Sequence, residues 1–198
     1  MENPKQNKTK VQGQFVGIQK SSYFYGKRKI GIDTNILIKL YNQPSLFDYE
    51  ESRIFDGNIV YTHAICKYEF IKALKKDLGE DKAREEASNF IKEHKIMVIY
   101  PKECFISKEE FQLFEQEANK KFIEKGKSGL KCHCPDSIII LAFKKCGINR
   151  VISTDLSFRE SAILLGMDGS SLPSLDAAIS RKLRQAFDYK KSYKKKFR

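Results

Sequence analysis

Four acidic side chains stand where a carboxylate can do chemistry. Asp33 closes an apolar run in GIDTNILI, directly before Thr34 and Asn35 open a helical pattern, and Asp155 closes VISTD in the same manner. Asp136 opens the helical run of HCPDSIIILAF behind Pro135, whose fixed φ suits a helix start. Glu69 interrupts the apolar stretch ICKYEFIKAL, among Tyr68, Phe70 and Ile71, where burying a charge without a partner is costly. Each acid has an ordinary reading by itself: a helix cap for Asp33, the positive end of a helix for Asp136, a strand-to-helix loop for Asp155, a solvated face for Glu69. The set reads differently, because two of them end strands on the edge where open parallel sheets bind ligands. Several carboxylates meeting there repel one another, so without a cation at least one takes up a proton at neutral pH. A hard divalent ion removes that conflict, and ligands that are all oxygen favour Mg²⁺ or Mn²⁺ over zinc.

The elements that must position these acids follow from the apolar pattern. Short β-type runs at Lys29 to Asp33, Asn58 to Thr62, Ile96 to Tyr100 and Arg150 to Ser153 alternate with helical stretches. IVYT and IMVIY are nearly continuous apolar runs, as in strands covered on both faces. Helices are predicted at Asn35 to Tyr41, His63 to Leu78, Glu80 to His94, Ser107 to Lys125, Pro135 to Cys146 and Phe158 to Leu165. The alternation predicts an α/β domain with a mainly parallel sheet. GMDGSSLPS reads as a turn-rich link with no final strand near Met167, and Gly166 and Gly169 put Asp168 in a turn.

The acidic series, GIDTNILI, then YEF within a helix, then PDSIIILA, then ISTD before an aromatic residue, resembles the PIN domain over about residues 29 to 170. Ser153 stands where that pattern commonly has threonine. The resemblance implies a three-layer α/β/α sandwich with central strand order 3-2-1-4, often with another edge strand, which makes strands 1 and 4 neighbours and sets Asp33 beside Asp155. It implies that Asp33, Asp136 and Asp155 hold the metal, directly or through water, with Glu69 completing the site. Thr34, Asn35 and Ser153 would orient carboxylates or waters. The reaction so implied is phosphodiester hydrolysis by a Mg²⁺- or Mn²⁺-dependent endoribonuclease, similar to VapC-type toxins or to PIN nucleases of RNA processing. An antitoxin or RNA-processing partner and a homodimer belong to that picture. Two other functions stay open: a catalytically inactive PIN module that scaffolds an RNA complex, and a structure-specific DNA nuclease, although no helical clamp for duplex DNA is apparent.

The remaining signals concern charge and thiols. The chain has 198 residues and a net charge of +12, distributed unevenly. Residues 1 to 29 hold seven Lys/Arg against Glu2 (+6) and residues 181 to 198 hold nine against Asp188 (+8), so the middle carries −2. We therefore divide the chain into a basic N-terminal arm (1–28), a PIN-like domain (29–180) and a basic C-terminal helix end and tail (181–198). In YKKSYKKKFR, aromatic rings interleave with Lys190, Lys191, Lys194, Lys195, Lys196 and Arg198, which suits phosphate attraction and base stacking on RNA; solvated tails share that composition. KKFIEKGKSGLK, with Lys127 and Lys131, concentrates charge just before Asp136, whereas its GKSG lacks the full spacing of a nucleotide-phosphate loop. Cys132, His133 and Cys134 offer zinc only an incomplete ligand set. Five cysteines without framework spacing, a polar start and no apolar run of roughly 18 residues predict a cytoplasmic protein with no membrane association.

Overall fold

The computed structural model describes residues 28–43 and 57–172. Most of the N-terminal arm, the helix end and tail expected at the C-terminus, and with them Lys190, Lys191, Lys194, Lys195, Lys196 and Arg198, lie outside the described residues.

Five strands and six helices follow one another along the described chain: β1 (Lys29–Ile32), α1 (Thr34–Asn42), β2 (Ile59–His63), α2 (Ala64–Leu78), α3 (Glu80–Glu93), β3 (Met97–Ile99), α4 (Lys108–Glu124), α5 (Asp136–Lys145), β4 (Arg150–Ile152), α6 (Leu156–Leu164) and β5 (Asp168–Ser170). The strands form one sheet of order β3-β2-β1-β4-β5, and every pairing is parallel. All the strands therefore end on one edge. The chain winds from β1 out to β3 in one direction and returns to β4 and β5 in the other, so right-handed crossovers put α1–α3 on one face and α4–α6 on the other. This is the three-layer α/β/α sandwich that the sequence predicts.

The core explains why helices and strands meet so closely. Ile30, Ile32, Val151 and Ile152 are buried, and the ring of Phe143 on α5 packs against β1 at Gly31. A Cβ added at Gly31 would stand 2.6 Å from that ring, so glycine is what lets α5 approach the sheet. On the other face Tyr41, Phe70 and Phe90 join α1, α2 and α3 through edge-to-face contacts with centroids 5.5–5.7 Å apart. The capping box of α4, with Ser107 and Glu110 bonded reciprocally, fixes where that helix begins.

One element departs from the sequence reading. Asp168–Ser170 is not a turn-rich link but the edge strand β5, paired with β4 from Arg150↔Asp168 to Ile152↔Ser170. Three residues containing a glycine carry no alternating apolar pattern. A Cβ added at Gly169 would stand 2.9 Å from the Arg159 carbonyl on α6, a close approach that favours glycine. Asp168 thereby sits at the start of β5, 3.5 Å from Arg150 Nε and on the edge opposite the acidic site.

Candidate active site

The carboxyl edge of β1 and β4 is a dense network of short polar side chains. Asp33 follows β1 and caps α1, its Oδ1 accepting from the Ile36 amide at 3.3 Å. Its Oδ2 accepts from Asn35 Nδ2 at 2.8 Å and from the hydroxyl of Ser153. Ser153 Oγ in turn accepts from the Asp155 amide at 2.9 Å, and Asn35 Oδ1 accepts from the Thr154 amide at 2.9 Å. Ser153 and Asn35 thus stitch the end of β1 to the end of β4. The capping role that composition allows for Asp33 is real, and it coexists with the site.

Asp155 caps α6 through Oδ1, which accepts from Ser157 N at 2.6 Å and Phe158 N at 3.2 Å. It is exposed, with its second oxygen lacking a hydrogen-bond partner among the described residues. Asp136 is the first residue of α5 and lies 3.8 Å from Nδ1 of exposed His133. Glu69, in the second turn of α2, accepts a hydrogen bond from Thr34 Oγ1, which ties α2 to the start of α1.

Electrostatics show that the acids share one field. Burial, with only 6% of Asp33 exposed, drives its carboxyl up to about 7. The bonds from Ser153 and Ile36 pull the other way, while the charges of Asp136 and Asp155 add to the rise. Asp136 is raised to about 6, chiefly by burial, with His133 opposing and with Asp155 and Glu69 reinforcing it. Cys66, buried beneath this edge, has its thiol pushed up to about 12 by burial and by the Asp33 charge, which makes it a poor nucleophile.

The donor set suits a hard divalent cation in its chemistry: all oxygen, with two members disfavoured as free anions. Among the described residues, however, no three His, Cys, Asp or Glu side chains are gathered tightly enough to hold a metal ion by themselves.

Two residues that sequence reading passed over, both on α4, bond to the chain on either side of Asp136. Glu115 Oε1 accepts from the fully buried Ser137 hydroxyl at 2.6 Å, and its charge reaches Cys132 and Cys134. The Asn119 side chain clamps Cys132 like a neighbouring strand, donating to its carbonyl at 2.9 Å and accepting from its amide at 2.8 Å. A signal existed: Glu115 occupies the helical stripe of Phe111, Phe114, Ala118 and Phe122, an acid at a core-facing position much like Glu69. Cys132 is buried, Cys134 and His133 are exposed, and these three assemble no zinc site among the described residues. Of the basic residues near Asp136, Lys127 is paired with Glu160 at 2.6 Å, while Lys131 is exposed and its amide donates to Ser157 Oγ at 3.4 Å. No helix among the described residues is long and apolar enough to cross a membrane.

The sequence matches no protein-family model and no curated protein. In three dimensions the chain is similar to solved VapBC structures. VapBC2 from Rickettsia felis, solved with a DNA fragment from its promoter, superposes with a TM-score of 0.51 at 13% identity over 73% of this chain and 99% of that one. VapBC-1 from nontypeable Haemophilus influenzae gives 0.50 at 14% identity over 73% and 98%, and DNA-bound VapBC from Salmonella typhimurium gives 0.50 at 17% over 74% and 99%. At such identities the likeness speaks to architecture, and the architecture is PIN-like.

Proposed function

We propose that this chain is a Mg²⁺- or Mn²⁺-dependent endoribonuclease that hydrolyses RNA phosphodiester bonds at Asp33, Glu69, Asp136 and Asp155. The observation that carries the reading is the shared field at the carboxyl edge, where Asp136 and Asp155 push Asp33 upward and Asp155 and Glu69 push Asp136 upward. Four acids far apart in sequence do not reach each other's charge unless the fold gathers them, and a cation is the group that relieves such a cluster. When bound, the ion supplies Lewis acidity toward a phosphate and lowers the pKa of its water. Asp33, Asp136 and Asp155 would hold it, in part through water, with Glu69 beside them. Thr34 fixes the Glu69 carboxylate, and Ser153 and Asn35 fix Oδ2 of Asp33 and couple it to the Asp155 backbone. Lys127, Lys131 and the cationic tail residues from Lys190 to Arg198 supply attraction for the phosphate backbone.

The VapBC likeness supports a toxin-type setting with an antitoxin as partner. The basic extensions at both ends support an RNA-processing setting. One observation favours a different reading, a non-catalytic RNA-binding module: no three of the acids are close enough for joint coordination among the described residues. The experiment that separates them pairs Mn²⁺ titration calorimetry with cleavage of single-stranded RNA by the full chain and by Asp33→Asn and Asp136→Asn. The nuclease reading expects Mn²⁺-dependent cleavage, falling at least about 100-fold in either variant, the scale of an essential electrostatic group. Full turnover by Asp33→Asn removes Asp33 from the mechanism, and RNA affinity without any Mn²⁺ binding leaves the scaffold.

A further inference from the structure

A groove of about 520 Å³ runs between α2 and α3, lined by Tyr68, Ile71, Lys72, Lys75, Lys76 and Arg84. We propose that this groove seats the single-stranded flank of the RNA whose phosphodiester is held at the acidic site. The inference rests on the ribonuclease reading above and extends it to a surface.

Position is the first argument. α2 leaves the carboxyl end of β2, so its opening turns lie at the acidic edge and its later turns lead away from it. Tyr68, Ile71, Lys72, Lys75 and Lys76 recur at intervals of three and four residues and so share one face of the helix. Lys76 stands about 10 Å further along the axis than Glu69, at about 1.5 Å per residue. The groove thus lies on the same helix as Glu69, whose sequence neighbour Tyr68 lines it.

Chemistry is the second. Glu80 draws Lys75 and Arg84 together, bonding the former and accepting from the latter at 2.8 Å. Lys72 and Lys76 have no anionic partner among the described residues, and the lining carries four cations against that single acid. An edge built from carboxylates repels a polyanion, so a strand that delivers one phosphate there needs cations beside it to hold the next ones. Tyr68 is 65% exposed, a large planar ring left in water at the mouth of the groove. A ring beside spaced lysines is the combination that holds unpaired bases and their backbone together. An acidic polypeptide would satisfy the lysines and leave the ring without a stacking partner. A second copy of the chain meeting this face about a two-fold axis would oppose lysine to lysine.

The test measures binding of a fluorescent single-stranded RNA to the full chain in metal-free buffer, as a function of salt, for wild type, Lys72→Gln/Lys76→Gln and Tyr68→Ala. Each phosphate contact on a single strand contributes about 0.7 to the slope of log affinity against log salt. The double variant is expected to lower that slope by about 1.4 and to weaken binding about 10- to 30-fold at roughly 0.1 M salt. Tyr68→Ala is expected to weaken binding at least about fivefold with the slope unchanged, the signature of lost stacking. These side chains lie at the surface, and unchanged thermal melts establish that the variants are folded. Unaltered slope and affinity in the double variant overturn the proposal. So does a poly-glutamate peptide that competes as well as RNA, or a loss of dimer in the double variant by sedimentation. Wild-type cleavage with Mn²⁺ alongside an unaltered slope sinks the groove and spares the nuclease; an altered slope without any cleavage does the reverse.

Discussion

Asp33→Asn should change the stability of this protein in a direction that depends on pH. The Asp33 carboxyl is moved from its ordinary 3.8 to about 7, chiefly because it is buried. Between those values the folded chain holds a proton that the unfolded chain has released, so stability falls as pH rises through the window. The shift is about 3 pK units, which at about 1.4 kcal/mol each makes the ionised, metal-free site about 4 kcal/mol less favourable above pH 7 than in acid. Asparagine has no such window. It keeps an oxygen for the Ile36 amide, but its own amide group would face the Asn35 donor, a mismatch of roughly 1–3 kcal/mol that does not vary with pH. The difference in unfolding free energy between variant and wild type should therefore move by about 2–3 kcal/mol in favour of the variant from about pH 5 to about pH 8. His63, whose pKa is lowered by burial, destabilises both proteins equally below its ordinary 6.5 and drops out of the difference. Urea denaturation in a metal chelator at the two pH values measures this. Parallel pH dependences in the two proteins, within about 0.5 kcal/mol, would refute the claim that burial and neighbouring acids strain Asp33.

Three further outcomes follow from the same geometry. Because Asp33 and Asp136 are raised to about 7 and about 6, Mn²⁺ must displace protons from them; the Kd should fall as pH rises from about 6 to about 8, and calorimetry in buffers of different ionisation enthalpy should show proton release. A pH-independent Kd would mean that these carboxylates are not the ligands. Glu115→Gln weakens the bond that Ser137 makes at 2.6 Å next to Asp136, so cleavage should fall about tenfold or more with a smaller change in melting temperature; if Ser137→Ala leaves turnover at the wild-type level, α4 does not position Asp136. Gly31→Ala drives a methyl to 2.6 Å from the Phe143 ring, and overpacking of this kind should destabilise the fold by about 1–3 kcal/mol. Recovery by Gly31→Ala/Phe143→Leu in the same denaturation assay checks that the clash is the cause.

The parts of this protein that could be read from sequence are those whose physical cause is local. IVYT announces a strand of the sheet interior, IMVIY announces a strand but not its place at the sheet edge, where Met97 and Tyr100 are exposed, and Asp33 and Asp155 announce the candidate site because an acid ending a strand in a parallel sheet has one edge on which to sit. β5 escaped because nothing local makes Asp168–Ser170 a strand; its pairing is imposed by β4 and by the approach of α6 to Gly169. Glu115 and Asn119 escaped for a kindred reason. Their types are ordinary on a helix, and their work, holding Ser137 and Cys132, exists only once α4 has docked against the segment before α5. The Tyr68 to Lys76 face was visible as letters and mute as chemistry until the fold set it beside Glu69 and opposite Arg84. What sequence conveys poorly is thus the supporting layer around the acids. Where no three acids among the described residues are close enough to fix an ion unaided, that layer governs how far each carboxylate stands from the next, and so whether the proposed cluster cleaves or merely attracts.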